Sequence, residues 1–70
     1  MPTPHTEHPA ATLLRDAIQN RTIRHGKHAA RLLRDHGHTT LADRLDREVS
    51  ARCGHLSARQ AADLIESETA

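Results

Sequence analysis

Apolar residues along the chain recur at helical rather than strand spacing. Ala10, Leu14 and Ile18 are four apart, with Leu13 and Ala17 beside them, so a helix is expected from Ala10. The stripe then changes phase. Ile23 follows Ile18 by five residues, which turns it about 140° away from the first face. Two breaks account for this: one at Gln19-Asn20-Arg21-Thr22 with Thr22 as an N-cap, or one at Gly26. Next, Ile23, Gly26, Ala30 and Leu33 step by three, four and three, with Ala29 and Leu32 widening the face. This predicts a helix to about His36, ended by Gly37 in a left-handed conformation.

A further helix is expected with Thr39 or Thr40 as its cap and Leu41, Leu45, Val49 and Cys53 on its apolar face, Ala42 adjacent. On its outer side Asp43–Arg47 and Arg44–Glu48 have the i,i+4 spacing of ion pairs. Gly54 ends it. Leu56-Ser57-Ala58-Arg59-Gln60-Ala61 has the form of a capping box, Ser57 to Gln60, with Leu56 and Ala61 as the hydrophobic staple. The helix that follows carries Ala61, Leu64 and Ile65 inward and fades at Glu68. Nothing alternates with the period of two that a strand needs. The expected fold is all-α, a small bundle of three or four short helices over residues 10–68. Residues 1–9 hold all three prolines and read as a disordered N-terminal arm, with Pro9 as a candidate first helical residue.

Composition adds a constraint. Of 70 residues, eleven are Ala and only twelve are Leu, Ile or Val, with no Phe, Trp or Tyr. A core that thin in so short a chain predicts a homo-oligomer or a fold that depends on its partner. No apolar run is long enough to span a membrane, and Met1–Ala10 lacks the apolar stretch of a signal peptide, so a cytoplasmic location is expected. One cysteine cannot close an internal disulfide.

Charge changes the picture more. Ten bases and nine acids leave a net charge of +1, yet residues 15–34 carry six bases against the single acid Asp16. Arg24, Lys27, His28, Arg31 and Arg34 recur at helical spacing as a basic stripe beside the apolar face. They are the candidate partner-binding residues, with Arg21 and His28 at the margins. Nine of the ten bases are Arg, whose forked guanidinium suits carboxylate or phosphate. The stripe therefore points to an anionic macromolecule, either an acidic protein surface or nucleic acid. The bland alternative is a solvated helix face. With no Phe, Trp or Tyr, single-strand stacking platforms of the usual kind are excluded, while contact with duplex phosphates is not. The acids Asp63, Glu66 and Glu68 offer another answer, as partners of the stripe within the chain or from a second copy.

Other chemistry is thinner. Leu56–Ile65 resembles the opening helix of a helix-turn-helix, but only five residues follow it, too few for a turn and recognition helix. Taking Gly37 as the turn puts Asp43 and Asp46 where that motif buries apolar residues. Seven His invite a metal reading, with His36, His38, Cys53 and His55 as ligands. In antiparallel helices, however, Gly37 and Gly54 fall at opposite ends of the third helix, some 22 Å apart, so surface His and no metal are expected. Cys53 is expected to be a small buried hydrophobe. No phosphate loop, metalloprotease motif or nucleophile elbow is present, and no enzymatic activity or cofactor is expected.

The run Ala30-x-Leu32-Leu33-x-x-x-Gly37-His38-x-x-Leu41-Ala42-x-x-Leu45, followed by Leu56-Ser57-x-x-Gln60-Ala61-Ala62-x-Leu64-Ile65, resembles small helical modules of uncharacterised function in actinobacterial and bacteriophage proteins. Where those modules often carry an aromatic or larger aliphatic before the first Leu, this chain has Ala29 and Ala30. The resemblance implies a bacterial or phage source and a non-enzymatic accessory role. The expected function is that of a small regulatory protein docking on a larger protein or ribonucleoprotein complex, inhibiting or adapting it. The alternative is a DNA- or RNA-binding accessory protein that uses the Arg stripe.

Overall fold

The computed structural model describes residues 8–69, which form four α-helices: α1 (Pro9–Gln19), α2 (Gly26–Asp35), α3 (Thr39–Ala51) and α4 (Ala58–Thr69). The all-α expectation holds, with no strand among the described residues beyond one isolated bridge. Of the expected arm, residues 1–7 lie outside the described residues. Its last two positions belong to α1: His8 is the N-cap, its Nδ1 accepting from the Ala10 N–H at 3.1 Å, and Pro9 is the first helical residue.

One connection separates the first two helices and reaches both of the alternative positions expected for the break. α1 stops at Gln19 and α2 starts at Gly26, so Ile23 sits in the connection, not on a helix. It is nonetheless buried, tucked under the loop at 8% exposure. Thr22 does not cap α2. Its N–H and Oγ1 both donate back to the Ala17 carbonyl, at 2.9 and 3.1 Å, closing α1.

The same closure ends three helices. Arg21 N–H donates to Ile18 and Thr22 N–H to Ala17; Gly37 to Arg34 and His38 to Leu33; Cys53 to Ser50 and Gly54 to Val49. Each is the paired-bond C-terminal motif built around a left-handed residue. That residue is Gly37 (φ 86°) at α2, as expected, but Arg21 (φ 60°) at α1 and Cys53 (φ 54°) at α3. Cys53 thus turns off the helix before its side chain can join the Leu41–Leu45–Val49 series, and it is exposed rather than buried. His38, not a threonine, is the residue before α3, and it makes no side-chain cap.

The core repeats one arrangement four times. Its largest fully buried side chains are Leu14, Leu33, Leu45 and Ile65, one from each helix. Around them the buried faces are mostly alanine: Ala10, Ala11 and Ala17 on α1, Ala29 and Ala30 on α2, Ala42 on α3, Ala58, Ala61 and Ala62 on α4. Small side chains let helices approach closely, so a dozen large aliphatics suffice to close the interior. Leu41 and Val49, expected in the core beside Leu33 and Leu45, are only half-buried at its edge, with Leu13, Ile18, Leu32 and Leu64. No buried side-chain N or O lacks a partner among the described residues. α2 packs chiefly on α3, and α1 on α4.

Candidate functional site

The start of α2 is held by α4. Gly26 N–H donates to the Leu56 carbonyl at 2.7 Å and Ala58 N–H to the Arg24 carbonyl at 3.2 Å, pairing His25 with Ser57. α4 begins with the expected capping box: Ser57 Oγ accepts from Gln60 N–H at 3.0 Å, and Gln60 Oε1 from Ser57 N–H at 2.9 Å. Two helix N-termini therefore lie side by side, and neither has an acid in its first turn. Their positive dipole ends add to the basic side chains nearby.

From that anchored start α2 presents Lys27, His28, Arg31 and Arg34 to one shallow depression of about 530 Å³, closed on the α3 side by Asp46. Four of the six candidate residues are thus brought together. Arg24 adjoins them through its backbone, its N–H pointing at His28 Nδ1 at 3.5 Å. Arg21, exposed at the end of α1, does not line the depression. Behind the ridge made by His28 and Arg31 lies a second depression of about 300 Å³, lined also by Thr22, Ile23, Leu32 and Asp35.

The ion pairs redistribute the charge. Arg34 bridges Asp43 and Asp46 at 2.7 and 2.8 Å, tying α2 to α3, and those hydrogen bonds, Asp46 first, hold its guanidinium above its ordinary pKa. Arg15 takes Glu66 with Nε and Nη2, at 2.9 and 2.7 Å, and Asp63 with Nη2 at 2.7 Å. Arg44 meets Glu68 at 3.3 Å and Arg52 meets Glu48 at 3.2 Å. The pairs expected along α3 do not form, because Asp43 and Arg44 are drawn to α2 and α4 instead. The C-terminal acids likewise go to Arg15 and Arg44, so they are not the stripe's partners within the chain. Arg21, Arg24, Lys27 and Arg31 have no ion pair among the described residues.

Sequence spacing missed two features of this face. Arg59 follows Ala58 directly, so its backbone lies next to that of Arg24 through a contact that no local pattern announces. Asp46 reaches the depression only because α3 folds back on α2. Elsewhere, the His25 and His28 rings lie 5.2 Å apart and those of His8 and His38 6.0 Å. Among the described residues no group of three or more His, Cys, Asp or Glu is placed to hold a metal ion. No described helix is long and apolar enough to cross a membrane.

No family model, curated protein or solved structure matches this chain.

Proposed function

We propose that the protein is a small non-enzymatic binding module that docks through the cationic face of α2 on a larger, negatively charged protein partner. One observation carries the reading: Arg15, Arg34, Arg44 and Arg52 are each held by a carboxylate, while among the described residues Arg21, Arg24, Lys27 and Arg31 have none and follow one another in a single stretch, apart from the isolated Arg47 and Arg59. Unpaired cations concentrated on one face raise the local potential and steer anionic partners to it. The resemblance of its apolar spacing to small actinobacterial and bacteriophage modules suits an accessory role of this kind. The exposed free thiol of Cys53 suits a reducing, cytoplasmic setting.

The test is affinity capture from a bacterial lysate with the full chain and with the Lys27→Glu, Arg31→Glu variant, each with and without nuclease. A captured protein that survives nuclease and is lost with the folded variant is the expected result. Equal capture by both chains would reduce the stripe to a solvated helix face. Capture that disappears with nuclease, and falls steeply with salt, would move the partner to nucleic acid. Self-association is part of the same proposal, and sedimentation at micromolar concentration showing a stable monomer would remove it.

A further inference from the structure

Resting on that reading, the geometry points to the kind of segment the face receives: an extended acidic peptide carrying one apolar anchor side chain, laid across the His28–Arg31 ridge. The two depressions that share this ridge differ in the residues that complete them. One is completed only by the ionisable side chains Lys27, Arg34 and Asp46, whose stems supply its apolar surface. The other includes Ile23 and the half-buried Leu32, both packed on the core, which give it an apolar floor. That floor can receive a peptide side chain, and an apolar anchor rimmed by charge is the usual build of a protein-recognition site.

Spacing supports an extended occupant. Lys27 and Arg31 are one step of four along α2, about 6 Å of rise. Side chains two apart on one edge of an extended chain are separated by about 6.6 Å. Two carboxylates in acid-x-acid order can therefore meet both cations, with the anchor side chain crossing into the Ile23–Leu32 depression. Asp35 sets the polarity. It lines the same depression as Ile23 and Leu32, so the segment must be free of acids there.

Asp35 and Asp46 also decide between partner classes. A nucleic-acid backbone carries a charge at every step and would bring phosphate against one or both carboxylates. A peptide can place a neutral residue there. With Arg34 already bridged to Asp43 and Asp46, the free cations that remain suit a short acidic run rather than a long phosphate track.

The experiment uses the full chain and three fluorescein-labelled probes read by anisotropy: an acidic ten-residue peptide with a central Leu, the same peptide with Ser in that place, and a DNA duplex of about 20 base pairs. Peptides with central Met and Phe extend the series. At least one apolar peptide is expected to bind about tenfold more tightly than its Ser counterpart, as burial of one large side chain implies. Arg31→Glu, checked for helicity by circular dichroism, should weaken every peptide about tenfold or more. Leu32→Ser should collapse the difference between apolar and Ser peptides. Should that variant unfold, amide shifts of Ile23 and Leu32 in the native chain supply the same information, moving with the apolar peptide only. Arg31-dependent binding that is equal for all peptides overturns the anchor and leaves the cationic face standing, as does Arg31-dependent binding in which the duplex outcompetes every peptide. No binding by any probe, or binding indifferent to Arg31→Glu, overturns the face itself.

Discussion

Replacing Gly26 by alanine sets two effects against each other. Gly26 is the first residue of α2, and its φ is not in the left-handed region, so the backbone itself admits a side chain. Helix propensity and the smaller entropy of the unfolded chain both favour alanine, together by about 0.5–1 kcal/mol. The packing opposes it. A Cβ built on Gly26 would lie 2.6 Å from Leu56 Cδ2, 2.8 Å from Cγ and 3.0 Å from Cβ. Rotating the Leu56 side chain relieves the first two contacts but not the third, which is fixed to the backbone. That backbone is in turn held by the 2.7 Å bond from Gly26 N–H to the Leu56 carbonyl. Leu56 is 2% exposed, so its side chain has nowhere open to go. Overpacking of this kind costs about 1–3 kcal/mol.

Gly26→Ala is therefore expected to lose about 1–2 kcal/mol net, where propensity alone forecasts a gain. In a urea melt followed by circular dichroism, with a slope of about 1 kcal/mol per molar for so small a chain, the midpoint falls by about 1–2 M. A cycle with Leu56→Ala identifies the cause, because trimming Leu56 removes the two closest atoms. Gly26→Ala should then be milder in the Leu56→Ala background by about 1 kcal/mol. Gly37→Ala is the contrasting control: nothing lies within 4 Å of its Cβ, and its cost comes only from φ of 86°, about 1–2 kcal/mol and independent of Leu56. A Gly26→Ala protein as stable as the parent would refute the close approach of α2 to the Leu56 segment.

Leu45→Ala should cost about 2–5 kcal/mol and leave little folded protein at 37 °C by thermal melt, because Leu45 is one of four large side chains that are fully buried. Ser57→Ala should lower stability by about 1 kcal/mol in the same melt, through loss of the bond from Gln60 N–H. Arg15→Met should cost about 0.2–1 kcal/mol, the Arg15 side chain being about one-third exposed and its pairs screened by solvent. Its hydrogen bonds to Glu66 first and Asp63 second raise the Arg15 guanidinium above its ordinary pKa, so this contribution is complete below the unfolded value and is lost only as pH rises through the folded one. The difference between parent and variant should accordingly be the same at pH 7 and pH 10 in paired urea melts.

What the sequence pattern conveyed and what it concealed divide along one physical line. Features set within a few residues were legible: the helical periods, the Ser57–Gln60 box and the left-handed Gly37. Features set by the meeting of distant segments were not. Cys53 is the exception, a local feature that the apolar spacing hid: the Leu41, Leu45, Val49, Cys53 series follows an i,i+4 spacing, yet the helix closes at Cys53 through the bonds of Cys53 N–H to Ser50 and Gly54 N–H to Val49. Ile23 looked helical because its apolar character serves a loop that covers the core. The ion pairs were least predictable, since Asp43 and Arg44 each had an acceptable partner four residues away and took one on another helix. Exposed pairs differ by so little energy that placement, not spacing, selects among them.

That selection separates two arginines that spacing makes equivalent. Arg31 and Arg34 are three residues apart on the same face of α2 and line the same depression. Arg34 is held between Asp43 and Asp46 and joins α2 to α3; Arg31 has no carboxylate partner among the described residues. Arg34→Glu replaces a bridging cation with a third carboxylate beside two others, turning attraction across the α2–α3 contact into repulsion. Arg31→Glu breaks no bridge, and the like-charge i,i+4 pair it makes with Asp35 costs only about 0.2–0.5 kcal/mol. The melting temperature should therefore fall for Arg34→Glu and stay near the parent's for Arg31→Glu, while binding to an acidic partner shows the larger loss for Arg31→Glu. Because the Arg34 pairs are exposed, adding salt should narrow the gap in melting temperature between the two variants. Equal melting temperatures at low salt would mean that the Arg34 bridge does not hold the two helices together, and that both arginines belong to one undivided surface.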